Sequence, residues 1–364
     1  MKQYSACAHA ARIHSVSMAR ITPNKIPSLA RKACDANIAA GCAYLISPNL
    51  HGFGRAPDKA IEYAEKSCRE DDAFGCDWLG NMYKSGDGVP VDLVKSHRFL
   101  AKAMALYRQQ CDKGYEIGCY RLAMSYDGNE ESEQNAEKTI LLFQQACDAR
   151  IALACSRLSN HYRYNEDLAK DEQKAMFYQE KSCDFGDPSD CYFSGSNYSY
   201  GSDGAVKDVA KAARMWQKGC DLDDDSSCEN LADLYNDDEE ENGIAPDKSR
   251  AVALYKKAFL LRINGCHDDE DASACESLGD AYKEGKTVKP DPVKADEAYK
   301  KAISLWQRDC DHDDYISCFA LASMYEKGKG VEKNIPRALE YYDKACTQYY
   351  PGCLWKASLS GKSK

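Results

Sequence analysis

The sequence predicts an all-α solenoid of about eight helix-turn-helix repeats stapled by disulfides. Three observations carry that expectation. Cysteines recur in pairs with seven residues between the members: Cys34/Cys42, Cys68/Cys76, Cys111/Cys119, Cys147/Cys155, Cys183/Cys191, Cys220/Cys228 and Cys310/Cys318. Two more pairs, Cys266/Cys275 and Cys346/Cys353, have the spacing off by one. First members follow one another at a base period near 36 residues, the mark of a repeat array. Between pairs the apolar residues keep helical spacing.

Each unit reads in the same order. The second cysteine is followed by Leu at +3 and Tyr at +7, which share one helix face. Examples are Leu79–Tyr83, Leu122–Tyr126, Leu158–Tyr162, Leu231–Tyr235, Leu278–Tyr282 and Leu321–Tyr325. A turn follows, often glycine-rich, as in Ser85–Gly88 and Lys327–Gly330. The units at 158–171 and 192–207 lack its Gly-x-Gly form. An Asp or Asn then stands where it can cap a second helix: Asp92, Asp171, Asp208, Asp247 and Asn334. That helix pairs a small residue with an aromatic, as in Ala60/Tyr63, Ala175/Tyr178, Ala212/Trp216, Ala251/Tyr255, Ala295/Tyr299 and Ala338/Tyr342. Small residues let helices approach, and the aromatics fill the groove between them. The cysteine pair thus spans the turn from the second helix of one unit to the first of the next.

Three units are longer. Before Cys111, Cys266 and Cys310, helical sequence runs past the usual cysteine position at Met104, Phe259 and Ile303. The cysteine arrives one heptad later, on nearly the same face. Three second helices should therefore be two turns longer than the rest.

The chain has 364 residues and formal net charge −10, which argues against nucleic acid as partner. No window is long and apolar enough for a membrane span. Nineteen cysteines without a single CxxC knuckle, and seven histidines at no ligand spacing, point away from metal sites. Regular pairs read as disulfides rather than as reduced buried thiols, so an oxidising compartment is expected, periplasmic or secreted. The acidic runs Asp221–Asp225, Asp237–Glu241, Asp268–Asp271 and Asp311–Asp314 invite a calcium reading. The first has three Asp at alternate positions, but Ser226 and Ala232 stand where a calcium loop needs Gly and Glu. Solvated turns and helix caps explain these runs better.

Residues 1–34 contain six basic residues and no acid, with no apolar signal core. Cys7 sits 27 residues before Cys34, where the second member of a pair belongs, so it is expected to be a free thiol. The segment reads as a degenerate or truncated N-terminal repeat, or as a targeting segment. The array is expected over 35–350, a capping helix over 351–359 and a loose tail over 360–364.

The stretches LeuGlyAsnMetTyrLysSerGlyAspGlyVal (79–89), LeuGlyAspAlaTyrLysGluGly (278–285) and LeuAlaSerMetTyrGluLysGlyLysGlyVal (321–331) resemble the Sel1-like repeat, a relative of the tetratricopeptide repeat. With the cysteine pairs added, the chain resembles the cysteine-rich Sel1 proteins grouped as the Helicobacter cysteine-rich protein (Hcp) family. That resemblance implies a scaffold fold and raises a β-lactam-binding or β-lactamase-type hydrolase. No Ser has Lys at +3, Lys286–Thr287–Val288 is not a Lys-Thr-Gly motif, and no clustered histidines could hold zinc. The sequence thus offers no catalytic, cofactor or metal residue. The expected function is a non-enzymatic scaffold binding a protein, peptide or cell-wall fragment on a concave face. The alternative is a respiratory-complex assembly factor of the mitochondrial intermembrane space, a protein that shares the cysteine pattern. Oligomeric state has no signal in the sequence.

Overall fold

The computed structural model describes residues 57–346, apart from 87, 128–132, 165–169, 238–243, 268–270, 286–287 and 312–313. Among the described residues there are fifteen α-helices and no strand. They are α1 (Pro57–Arg69), α2 (Ala73–Ser85), α3 (Leu93–Asp112), α4 (Glu116–Asp127), α5 (Glu133–Asp148), α6 (Ala152–Tyr164) and α7 (Glu172–Asp184), then α8 (Pro188–Tyr200), α9 (Val209–Asp221), α10 (Asp225–Asn236), α11 (Lys248–His267), α12 (Ala272–Glu284), α13 (Pro292–Cys310), α14 (Tyr315–Lys327) and α15 (Ile335–Cys346). The chain divides into two compact units, residues 1–190 with 203–205, and residues 191–202 with 206–364. In the first, α1 precedes the hairpins α2/α3, α4/α5 and α6/α7. The second holds most of α8, then α9 and the hairpins α10/α11, α12/α13 and α14/α15. Within each unit a helix packs chiefly on its neighbours in sequence, as repeat arrays do.

Two kinds of turn alternate, and each has its own chemistry. Between hairpins, the residue three after the first cysteine is left-handed: Asp71, Gly114, Arg150, Gly186 and Asp223 all have positive φ. Its N–H bonds back to the cysteine carbonyl, and the next N–H bonds one residue further back, as in Asp223 to Cys220 and Asp224 to Gly219, both at 3.0 Å. Where that next residue is Asp, it caps the following helix: Asp72 accepts from Phe74 and Gly75, and Asp224 from Ser227. Paired aspartates therefore split the work. The first takes the left-handed conformation that Asp tolerates, and the second is the N-cap. Within hairpins the turn uses glycine. Gly330 has φ +65, and a Cβ there would lie 2.4 Å from Cβ of Tyr299. The 192–207 unit, without Gly-x-Gly, uses Gly201 and Gly204 at φ +70 and +83 instead.

The core repeats too. Leu79, Leu122, Leu158, Leu231, Leu278 and Leu321 are buried, as are Ala175, Ala212, Ala251, Ala295 and Ala338 on the second helices. Cysteine pairs join consecutive helices, among them Cys68–Cys76, Cys111–Cys119, Cys147–Cys155, Cys220–Cys228, Cys266–Cys275 and Cys310–Cys318, with Cα–Cα of 4.5–4.9 Å. All twelve of these cysteines are buried.

The long helices are α3 and α11, each of 20 residues, and α13 of 19, against 13 for α7 and α9. Their added heptads bury Tyr107, Arg262 and Leu305. The expected N-terminal repeat, Cys7, the Cys34/Cys42 pair, Cys353, the capping helix and the tail lie outside the described residues.

Candidate interaction surface

The same clamp recurs in six of the hairpins. In the first helix, the Tyr carbonyl accepts from the N–H of the Asx that caps the second: Tyr83 from Asp92, Tyr162 from Asp171, Tyr198 from Asp208, Tyr235 from Asp247, Tyr282 from Asp291 and Tyr325 from Asn334, all at 2.8–2.9 Å. The Asx side chain accepts from the N–H three residues on. The residue at that third position is always Lys or Arg, and its cation lies over the same Tyr ring. Lys95, Lys174, Lys211, Arg250, Lys294 and Arg337 sit 4.1–5.5 Å from the ring centres. In three hairpins a second ring stacks on that Tyr as well, in Tyr83–Phe99, Tyr162–Tyr178 and Tyr325–Tyr341. The backbone N–H of the third residue holds the Asp92, Asp171 and Asp247 carboxyls below the usual carboxylate range.

The polar faces of the first helices are drawn into the hairpins. On α10, Asp225, Glu229 and Asp233 recur every four residues. Arg262 of the added α11 heptad donates to Asp225 Oδ2 at 2.6 Å and also to Glu229. Burial opposes the Arg262 charge, but the two carboxylates outweigh it and raise its pKa. Tyr255 donates to Asp233. On α12, Lys329 reaches Glu276 at 2.9 Å and Asp280 at 2.7 Å, and Tyr299 donates to Asp280 at 2.6 Å. Tyr342 donates to Glu326 at 2.8 Å. Burial first, and the carboxylate second, push the Tyr255, Tyr299 and Tyr342 hydroxyls far above their ordinary value. These groups hold hairpins together rather than face a ligand. Asp190 is buried under Gln179, and burial raises its pKa. Its Oδ1 accepts from Gln179 Nε2 at 3.5 Å, and Ser182, Ser156 and Gln179 offset part of that rise.

Exposed apolar side chains stand on the second helices at Val94, Phe177, Val252, Leu260 and Val293, and on the first helices at Leu153, Phe193 and Ile316. The described residues of the acidic runs do other work, while 238–241, 268–270 and 312–313 lie outside the described residues. Asp223 pairs with Lys257, Asp225 with Arg262, and Asp271 and Asp314 cap α12 and α14. Among the described residues no three His, Cys, Asp or Glu side chains are placed to hold a metal ion. Nor is any described helix long and apolar enough to cross a membrane. The clamp cation was legible at a fixed three residues after each capping Asx, but sequence reading passed over it. The α10–Arg262 network had no comparable periodic signal.

The Sel1 repeat family model matches eight segments: 40–72, 73–107, 117–150, 152–187, 188–224, 225–261, 272–308 and 316–350. The chain belongs to the Sel1 repeat family. Each of the last seven Sel1 segments holds one first helix and most or all of the second helix that follows it. Among curated proteins, cytochrome c oxidase assembly factor 7A of Xenopus laevis is 35% identical over 89 residues, and cytochrome c oxidase assembly factor 7 of Xenopus tropicalis is 36% identical over 89. Those matches cover 24% of this Sel1 chain and 38% of each relative. Among solved structures, a Sel1 repeat protein from Oxalobacter formigenes is 17% identical, with TM-score 0.42 and coverage of 94% of this chain and 95% of that one. A protective antigen of uropathogenic Escherichia coli displaying an SLR fold is 18% identical, with TM-score 0.37 and coverage of 99% and 88%.

Proposed function

We propose that the chain is a non-enzymatic scaffold that binds a protein or peptide through its Sel1 hairpins. The observation that supports this reading is how the hairpins use their polar groups. Clamps, caps and buried ion pairs consume those groups on the first helices, which leaves a firm frame whose second helices present exposed apolar and basic side chains. Cross-linking of the oxidised chain in its native extract, followed by mass spectrometry, tests it. Reproducible cross-links from the exposed faces of the second helices are expected, and their absence would count against a scaffold.

A second reading is assembly of a respiratory complex in the mitochondrial intermembrane space. It is favoured by the 35% identity to a cytochrome c oxidase assembly factor, over 89 residues only, and by cysteine pairs suited to an oxidising compartment. Removing the gene and measuring assembled cytochrome c oxidase decides it, and normal levels would end it. A periplasmic or secreted location, with a cell-wall fragment as ligand, goes with membership of the cysteine-rich Helicobacter group. Nitrocefin tests that membership's catalytic implication, and turnover would overturn the non-enzymatic reading.

A further inference from the structure

Helix α3 is charged unlike its counterparts in the same unit. It carries Lys95, Arg98, Lys102 and Arg108, with His97, against the single acid Asp112. By contrast α5 holds Glu133, Glu137 and Asp148 against Lys138, and α7 holds Glu172, Glu180 and Asp184 against Lys174 and Lys181. The chain as a whole is at −10, so this concentration of positive charge is local.

Its exposed residues form a continuous face. At about 100° per residue, Val94, His97, Arg98, Ala101, Ala105 and Arg108 fall within an arc of roughly 100° and span about 21 Å of helix. All six are exposed. Val94 is 81% exposed, and Val91 and Leu93 beside it are 60% and 55% exposed. The arc's one acid is Asp112 at its far end. The other side of α3 is taken up by packing through Ser96, Ala103, Tyr107 and Cys111.

The cations divide by task. Lys102 serves Asp71, Arg108 donates to Tyr126, and Lys95 covers Tyr83. His97 and Arg98 form no ion pair among the described residues and stand at the two edges of the apolar ridge of Val94, Ala101 and Ala105. A ridge of Val and Ala edged by cations, with no acid along its first four turns, is complementary to an amphipathic helix edged by carboxylates. Ala101 and Ala105, one turn apart, leave room for a close approach. Acidic partners are repelled by the chain's net charge elsewhere, so this face would also set where they land.

We propose that α3 is a docking face for an acidic, amphipathic helical segment of a partner protein. This rests on the scaffold reading and names the partner's chemistry. The test uses the full oxidised chain and two synthetic helix-forming peptides, one of Leu, Ala and Glu in amphipathic order and one with every Glu replaced by Lys. Fluorescence anisotropy should show binding of the Glu peptide alone, weakening as salt rises. His97→Glu with Arg98→Glu should weaken it about tenfold, and Val94→Asp likewise. Lys256→Glu on α11 should leave it unchanged, and circular dichroism should show all variants folded. Three outcomes overturn the proposal: no binding of the Glu peptide, equal binding of both peptides, or indifference to the α3 variants. A fourth is stronger cosedimentation with phosphatidylserine vesicles, abolished by the same variants, which would make the face a lipid contact. If cross-links to a partner map elsewhere and survive the double variant, the scaffold reading stands and this one falls.

Discussion

Lys257 Nζ donates at 2.6 Å to the carbonyl of Cys220, 37 residues earlier, and lies 2.9 Å from the Asp223 carboxylate. Lys102 makes the same pair of contacts to Cys68 and Asp71, each at 2.8 Å. In both, a lysine of one second helix closes the C-terminus of the preceding one, where a cation meets the negative end of the helix dipole. Lys102→Ala or Lys257→Ala should cost about 0.5–1 kcal/mol, because both lysines are partly exposed and screened. Urea denaturation at low and high salt checks this. A loss that does not shrink with salt would contradict the electrostatic account.

Arg262 is buried with two carboxylates that are each about a quarter exposed. Arg262→Ala would leave both facing an apolar cavity and should cost about 2–4 kcal/mol. Replacing Arg262, Asp225 and Glu229 together with apolar residues of similar volume should recover most of that loss. Equilibrium denaturation of the single and triple variants measures the difference.

Gly279 faces the Tyr299 ring, and a Cβ there would lie 2.5 Å from Tyr299 Cδ1. Helix propensity alone would reward Gly279→Ala. Overpacking should win instead, at about 1–3 kcal/mol of destabilisation. Pairing the change with Tyr299→Leu should relieve the clash, and thermal melts of both variants report it.

Two aspartates respond to acid in opposite directions. Asp171 has its pKa lowered by the Lys174 N–H, so its stabilisation is complete above the unfolded value near about pH 4 and is lost as pH falls through the lower folded value. Asp171→Asn keeps the cap and should flatten that acid limb, whereas Asp171→Ala should lose the cap at every pH. Asp190 has its pKa raised by burial, so its charged form destabilises the fold at neutral pH and the strain eases as pH falls through the raised value. Asp190→Asn should therefore be more stable at pH 7 by about 1 kcal/mol, with the gain vanishing in acid. Melting temperatures across pH decide both.

The disulfide set is tested by alkylation without reduction. Nine internal crosslinks are expected, including Cys34–Cys42, Cys183–Cys191 and Cys346–Cys353, with Cys7 alone alkylated. Closing a loop of nine residues stabilises by about 2.5 kcal/mol in the chain-entropy model, so reduction should lower Tm steeply. Extensive alkylation of the native protein would contradict it.

The repeat register, the hairpins and the three long helices were legible because cysteine, Leu and Tyr recur at fixed offsets. So were the caps at Asp92, Asp171, Asp208, Asp247 and Asn334, since a lone Asx before an apolar helix has few other uses. The clamp cations and the closing lysines also recur. Lys66, Lys181, Lys218 and Lys344 stand two residues before a first cysteine, and Lys102, Lys257 and Lys301 stand nine before, displaced by the heptad. They went unread because a charged residue on a helix looks solvated until its partner one repeat away is known. Arg262 could not have been read at all. Its partners lie 33 and 37 residues earlier, and among the described residues the arrangement occurs in one hairpin.

Each cysteine bridge encloses a single turn between two helix ends. The competing bridge from Cys119 forward to Cys147 would enclose 28 residues, at an added closure cost of about 1 kcal/mol. Correct pairing is thus favoured as soon as two adjacent helix ends have left the ribosome or translocation pore. The array can be oxidised in the order it emerges, one rung at a time, without waiting for its far end and with little need for disulfide reshuffling.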